Sequence, residues 1–191
     1  MKVISLLQPW ATFVVMGIKK FETRSFNTKF RGKILIHASK KFSKHQFDLC
    51  FDIPEFRKHF EEMSTMDLPK GFIIGSVEIT DTIPTWQVTH YLNIFDSPLS
   101  EFKGLGPRQW KEEIVYGDYS NERFAWKLEN AIQFANPIPA KGQLGFWNYD
   151  MPDHFHIPIE SGGHSTFPSP PDKDTLDAVN AMVELAKKKI K

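Results

Sequence analysis

The sequence predicts an α+β fold: a small β-barrel or strongly curved sheet with flanking helices and a C-terminal helix. Short runs of apolar and β-branched residues recur along the first 150 residues, and helical segments do not alternate with them regularly. A chain of 191 residues, 41% of them apolar, is long enough for one domain with a substantial core. We therefore expect a domain over residues 1–150 with an insertion at about 85–117, an extended linker over 151–173 and a helix over 174–191.

A strand followed by a short apolar helix opens the chain. Lys2–Leu6 contains the β-branched residues of a strand. Pro9 suits the first turn of the helix because its missing N–H would have no intrahelical partner, and Gly17 is placed to end the helix in a left-handed cap. Since the helix is apolar nearly all round, it should be covered on most sides.

Further strands and helices are predicted from periodicity and turn residues. In chain order they are a buried strand over Lys33–Ser39, a helix over Ser43–Phe51 with Ser43 as N-cap, a strand over Gly71–Ile83, a loop-and-helix segment over Thr85–Gly117, a long bent strand or strand pair over Arg123–Phe134 and a closing strand over Gly142–Trp147. Five of the thirteen prolines lie in residues 151–173, which predicts the linker. Beyond it an apolar stripe with helical spacing should dock on this domain or on a second copy: Leu176, Val179, Val183, Ala186 and Ile190.

Composition restricts the class of protein. There is no apolar run of the length needed to cross a bilayer and no A-x-A-like cleavage site, so we expect no membrane partner and a cytoplasmic location. Cys50, the single cysteine, should be a core thiol. Charge is segregated: residues 1–50 carry a net +8 and the remaining 141 residues −7. This asymmetry favours a phosphate-bearing ligand contacted by the N-terminal third.

Charged residues follow the first helix directly. In an extended segment, Lys20, Glu22 and Arg24 share one face, and Lys19 could reach the same side as Glu22. Arginine can clamp a phosphate or a base edge, and a lysine beside a glutamate can act as an acid/base pair. Equally, Glu22 could merely neutralise Lys19 and Arg24 in a salt-bridge network without a ligand. Spacing alone leaves both interpretations open.

Several ordered blocks resemble one family. They are Gln8-Pro9-Trp10-Ala11; Gly17, Lys19, Glu22 and Arg24; Arg31-Gly32; His37-Ala38-Ser39-Lys40; Gly75–Asp81; Gly117-Asp118-Tyr119 with Arg123-Phe124-Ala125-Trp126; and Pro137 with Lys141-Gly142. Over roughly residues 3–148 this pattern is similar to the ASCH family (activating signal cointegrator homology), which belongs to the PUA-like superfamily of small β-barrels. Glu122 stands where the family usually has a glycine. Residues 85–117 and the C-terminal helix lie outside the shared pattern.

The resemblance implies binding of RNA or a modified nucleoside in a cleft beside the first helix, with no cofactor and no metal. The predicted ligand-binding residues are Gln8, Trp10, Lys19, Glu22, Arg24, Arg31, Lys40, Arg123 and Lys141, with Lys41 on the approach. Arg24 would contact phosphate or a base acceptor. Glu22 would either hold Lys19 and Arg24 in place or accept from a base amino group.

Two alternatives remain open. In the first, Lys19 and Glu22 are catalytic residues of a metal-independent ribonuclease or of an amidohydrolase that acts on an acylated nucleoside. One bacterial branch of the family deacetylates acetylcytidine with a lysine that Lys19 matches, but Glu22 occupies the position of that branch's threonine. In the second, the C-terminal helix and the insertion bind a protein partner or another copy.

Other candidate residues have simpler explanations. His154, His156 and His164 could hold zinc, but no cysteine or helical histidine pair supports such a site. His37 lies in an apolar strand and is expected to be a hydrogen-bonded core residue rather than a base. Four aromatic residues of the insertion could stack on bases, although covering the core is the favoured role of each: Trp86, Tyr91, Trp110 and Tyr116.

Overall fold

A computed structural model describes residues 1–60, 67–94 and 102–151. Its strands are β1 (Lys2–Leu6), β2 (Phe21–Arg24), β3 (Gly32–Ala38), β4 (Phe72–Pro84), β5 (Phe124–Pro139) and β6 (Phe146–Asn148). Its helices are α1 (Trp10–Val15), α2 (Lys44–Asp52), α3 (Pro54–Arg57), α4 (Thr85–Ile94) and α5 (Pro107–Glu113), followed by a 3₁₀ turn (Ile114–Tyr116).

The six strands form one curved sheet in the order β2-β5-β4-β3-β1-β6. β1 pairs with β3 in parallel, and every other neighbouring pair is antiparallel. Register shifts interrupt the β3–β4 and β4–β5 ladders, and such bulges bend strands and increase their twist. The sheet therefore curls into a half-barrel with β2 and β6 at its edges, which confirms the predicted α+β class and the strong curvature.

Helix α1 lies directly on the sheet. All of its residues from Ala11 to Val15 are buried, as its apolar sequence predicts. Gly75 in β4 permits this close approach: a Cβ atom there would lie 2.3 Å from the carbonyl oxygen of Ile132 and 2.6 Å from Cγ1 of Val15. The position of α1, and of the chain that leaves it, is therefore set by packing against the centre of the sheet.

Most of the predicted elements are present, with three differences in detail. The closing strand begins at Phe146 and not at the predicted Gly142. Pro9 occupies the N-cap position of α1 rather than its first turn. β5 continues beyond Phe134 to Pro139, with Ile138 opposite Ile73 and Pro139 opposite Phe72. Proline interrupts a strand where the ladder needs the N–H that proline lacks. Pro137 and Pro139 both lie within β5, so neither ends it.

The buried residues follow the sequence predictions. His37 is buried, and its Nε2 lies 3.1 Å from the carbonyl oxygen of Ala140. Burial raises the pKa of the Cys50 thiol to about 11, so this thiol is not activated. Tyr91, Trp110 and Tyr116 are buried as predicted, but Trp86 is 52% exposed, so the prediction that it covers the core is wrong.

Several predictions fall outside the described residues. The linker over 151–173 lies there apart from Met151, as do the C-terminal helix and the three histidines considered as zinc ligands. Within the ranges that the structure describes, no helix combines the length and apolar character needed to span a bilayer.

Candidate nucleoside-binding cavity

The corner between α1 and β2 brings the charged segment to the sheet. Gly17 adopts the predicted left-handed conformation with φ +69°. The N–H groups of Ile18 and Lys19 both donate to the carbonyl oxygen of Phe13. This tight turn carries the chain from the buried helix into the edge strand β2 within a few residues.

A cavity of about 340 Å³ lies between the end of β1, strand β2, helices α2 and α3 and the segment after α5. Its lining residues are Ser5, Leu6, Leu7, Trp10, Lys19, Glu22, Thr23, Arg24, Leu49, Phe56, Val115, Tyr116, Gly117 and Asp118. Three aromatic rings form part of the wall: Trp10 packs edge-on against Phe56, and Phe56 edge-on against Tyr116. The cavity therefore combines aromatic walls with a charged floor.

The floor is an ion-paired triad of Lys19, Glu22 and Arg24. Lys19 is only 1% exposed; its Nζ donates to the carbonyl oxygen of Phe21 and lies 3.8 Å from Glu22 Oε2. Arg24 Nε lies 3.0 Å from Glu22 Oε1, an ion pair without hydrogen-bond alignment, and Nη2 donates to the carbonyl oxygen of Ser5 at 3.2 Å. The predicted alternation holds within the strand, because Phe21 and Thr23 are buried while Glu22 and Arg24 are partly exposed.

A second ion pair lies beside the cavity. Arg123 Nε is 3.3 Å from Asp118 Oδ2, and Arg123 Nη2 donates to the carbonyl oxygen of Thr23 at 3.4 Å. Hydrogen bonds from Ser120, assisted by the charge of Arg123, lower the pKa of Asp118. Glu122 precedes this arginine with φ +66°, a left-handed conformation that glycine adopts without strain. The glycine that the resemblance implies at this position would therefore also fit this turn.

The structure brings some of the predicted ligand-binding residues together and separates others. Trp10, Lys19, Glu22 and Arg24 all line the cavity. The remaining five do not: Gln8, Arg31, Lys40, Arg123 and Lys141.

The surroundings of these five residues differ, and two of them, Lys40 and Lys141, are exposed side chains outside the cavity. Gln8 is fully buried, donates to the carbonyl oxygen of Pro69 and accepts from the N–H of Thr12, so it holds the start of α1. Arg31 pairs with Asp81 at 3.7 Å. Arg123 reaches the cavity only through its contacts with the lining residues Thr23 and Asp118.

Sequence reasoning missed Glu113. This residue is 3% exposed, and its carboxylate accepts from the N–H groups of Lys20 and Phe21, each at 2.9 Å. Burial raises the pKa of Glu113, an effect opposed by Lys19 and by the two N–H groups. One signal could have identified it: Glu113 lies three positions after the buried Trp110, on the same face of α5.

The floor is suited to polar recognition. Lys19, Glu22 and Arg24 together carry one net positive charge, and aromatic side chains stand beside them. Across residues 1–60, 67–94 and 102–151, no group of three or more His, Cys, Asp and Glu side chains could hold a metal ion.

Comparisons with known proteins give the family. The chain is 26% identical to activating signal cointegrator 1 of Homo sapiens and 25% identical to that of Mus musculus, in each case over 158 residues. These matches cover 79% of this chain and 22% of each relative, so the chain spans about a fifth of the length of the curated relatives it matches. A crystal structure of ASCH from Zymomonas mobilis is 18% identical, with a TM-score of 0.39 and coverage of 72% of each chain. The ASCH domain family matches residues 4–138, more than two thirds of the chain. The chain belongs to the ASCH domain family.

Proposed function

We propose that this ASCH domain binds RNA or a modified nucleoside in the cavity beside α1. The observation that carries the proposal is the placement of Lys19, Glu22 and Arg24 together on the floor of one cavity with aromatic walls. A volume of about 340 Å³ lies at the lower end of the range of small-molecule pockets. A single base with its sugar is a ligand of suitable size.

The side chains of the cavity match the chemistry of a nucleotide. Trp10 is the partly exposed ring of the wall, and bases stack on exposed aromatic rings whatever their sequence. Phe56 and Tyr116 are almost fully buried, so they hold the wall in place and offer no open face. Arg24 offers planar N–H donors to a phosphate or to a base acceptor. Glu22 either anchors its two cations or accepts from an exocyclic amino group, and both roles are compatible with a carboxylate that is partly exposed to the cavity.

Binding can be tested by fluorescence anisotropy with a labelled single-stranded RNA at several salt concentrations. We expect the logarithm of the affinity to fall linearly with the logarithm of salt concentration, because phosphate contacts release counterions. Arg24→Ala should weaken binding about tenfold, by loss of a charge-assisted contact.

A matched control is Arg108→Ala, which removes the same charge from an exposed position on α5 outside the cavity lining. This variant should bind like the unaltered protein at the same salt concentration. The proposal is wrong if no binding occurs at low salt, or if Arg24→Ala and Arg108→Ala bind equally well.

Hydrolysis is the second candidate, and the proximity of the buried Lys19 ammonium to Glu22 favours it. For removal of an acetyl group from a nucleoside, position 22 holds Glu22 in place of the threonine described above. Thr23 also lines the cavity, but its hydroxyl accepts from the N–H of Asp118. Incubation with RNA in EDTA, and separately with acetylated cytidine, distinguishes the two reactions. Product formation that persists in both Lys19→Ala and Glu22→Ala would assign the activity to another site or to a contaminant.

A further inference from the structure

Strand β2 lies at an edge of the sheet, and charged side chains form the hydrogen bonds on the side where it has no neighbouring strand. In the part of the chain that the structure describes, it pairs only with β5. The N–H of Phe21 donates to Glu113 Oε1 at 2.9 Å, and the carbonyl oxygen of Phe21 accepts from Lys19 Nζ. A carboxylate and an ammonium group thus take the places that a carbonyl and an N–H of a neighbouring strand would occupy.

Helix α5 supplies one half of this arrangement. Glu113 extends its contact to the N–H of Lys20, so one carboxylate holds two consecutive peptide groups. Trp110, from the same helix, packs against the ring of Phe21 with centroids 4.5 Å apart. Since Glu113 and Lys19 are both almost fully buried, water does not compete for these contacts.

We propose that Glu113 is a positioning residue of the ligand site, because it fixes the backbone of Lys20 and Phe21 and thereby the Glu22 and Arg24 side chains that follow. This inference rests on the proposed function. Glu113 does not line the cavity, so it acts through the strand and not by touching the ligand. Helix α5 is then part of the binding machinery, since its Glu113 holds the strand that carries Glu22 and Arg24.

The test compares two neighbouring glutamates. Glu113→Gln preserves side-chain size but turns one acceptor oxygen into an NH₂ group that faces a backbone N–H. Glu112→Gln is the matched control, because Glu112 is exposed and its ion pair with Lys58 spans 3.9 Å. Affinity for the same labelled RNA is measured at a temperature where circular dichroism shows each variant fully folded.

We expect Glu113→Gln to weaken RNA binding about tenfold, because the strand loses one of its two hydrogen bonds to a charged carboxylate, while Glu112→Gln binds like the unaltered protein. If Glu113→Gln does not fold, Glu113→Asp retains the charge but cannot reach both peptide groups. It should shift affinity in the same direction. Unchanged affinity in a folded Glu113 variant would overturn the proposal.

A measurement without RNA separates this inference from the proposed function. In ¹H–¹⁵N correlation spectra, Glu113→Gln should move the amide signals of Lys20 and Phe21 and also the Nε–H signal of Arg24, whereas Glu112→Gln should move none of them. If the unaltered protein binds no RNA, the proposed function fails and the Arg24 signal still decides the role of Glu113. Movement of the Lys20 and Phe21 signals alone would mean that Glu113 is purely structural.

Discussion

Glu22 should contribute more to stability than its contact distances suggest. Its carboxylate, 12% exposed, lies 3.0 Å from Arg24 Nε and 3.8 Å from the ammonium of Lys19, which is 1% exposed. Lys127 and Glu129 form a shorter pair, at 2.8 Å, but their side chains are 26% and 44% exposed. Comparing the two ion pairs of Glu22 with the Lys127–Glu129 pair therefore tests whether burial matters more than distance.

The expected magnitudes follow from solvent screening. Breaking a fully buried ion pair typically costs about 3–5 kcal/mol because one charge is left without a partner in a medium of low dielectric constant. Arg24 is 23% exposed and can be rehydrated, so we expect Glu22→Gln to lower the free energy of unfolding by about 2–3 kcal/mol. Glu129→Gln should lower it by less than about 1 kcal/mol, as is usual for an exposed pair.

Urea unfolding at neutral pH measures both values directly. In thermal unfolding, Glu22→Gln should lower Tm by about 4–12 °C, since about 1 kcal/mol corresponds to about 2–4 °C in a chain of this size. Equal losses in Glu22→Gln and Glu129→Gln would refute the reasoning, because the floor of the cavity would then be as well hydrated as the surface.

Two further predictions concern the sheet. Gly75→Ala should destabilise the fold by about 3 kcal/mol or more, because the new Cβ would collide with the Ile132 carbonyl and the Val15 side chain. Thermal unfolding measures this loss, and an unchanged Tm would contradict the close packing of α1 on the sheet. Burial lowers the pKa of His37, so the stability from its neutral form is complete above about pH 6.5 and is lost as pH falls through the lowered pKa. His37→Gln keeps a donor for the Ala140 carbonyl. It should flatten the pH dependence of the unfolding free energy between about pH 7 and 5. An unchanged slope would exclude His37 as the source of that pH dependence.

Local sequence signals were sufficient for most helices and strands. Apolar periodicity predicted β1, β3 and β4, and Ser43 is the N-cap of α2 with a capping box formed with Gln46. What no local signal contains is the order of the strands. The parallel pairing of β1 with β3, and the edge position of β2, depend on contacts between residues distant in the chain.

In the candidate site, too, local sequence predicted some features, whereas others depend on contacts between distant residues. The two-residue period of β2 correctly placed Glu22 and Arg24 on one face and Phe21 on the other. It could not reveal that Lys19 is almost fully buried, nor that its charge acts on Glu113 of α5, which comes more than 80 residues later in the chain. Gln8 was misjudged for a related reason: a polar residue beside a helix start looks free in the sequence, but this one binds Pro69 and Thr12.

The abrupt passage from an apolar helix to a charged segment has a geometric cause. β1 and β2 are not neighbours in the half-barrel, and residues of both strands line the cavity between them. Peptide groups at such an unclosed edge need partners, and Arg24 provides one by donating to the Ser5 carbonyl across the gap. A guanidinium group has five N–H donors, so Arg24 can meet a phosphate or a base acceptor while it keeps Ser5 O. The same charge can therefore join the two strands and bind a ligand, which makes the salt-bridge network and the binding site compatible interpretations of one set of residues.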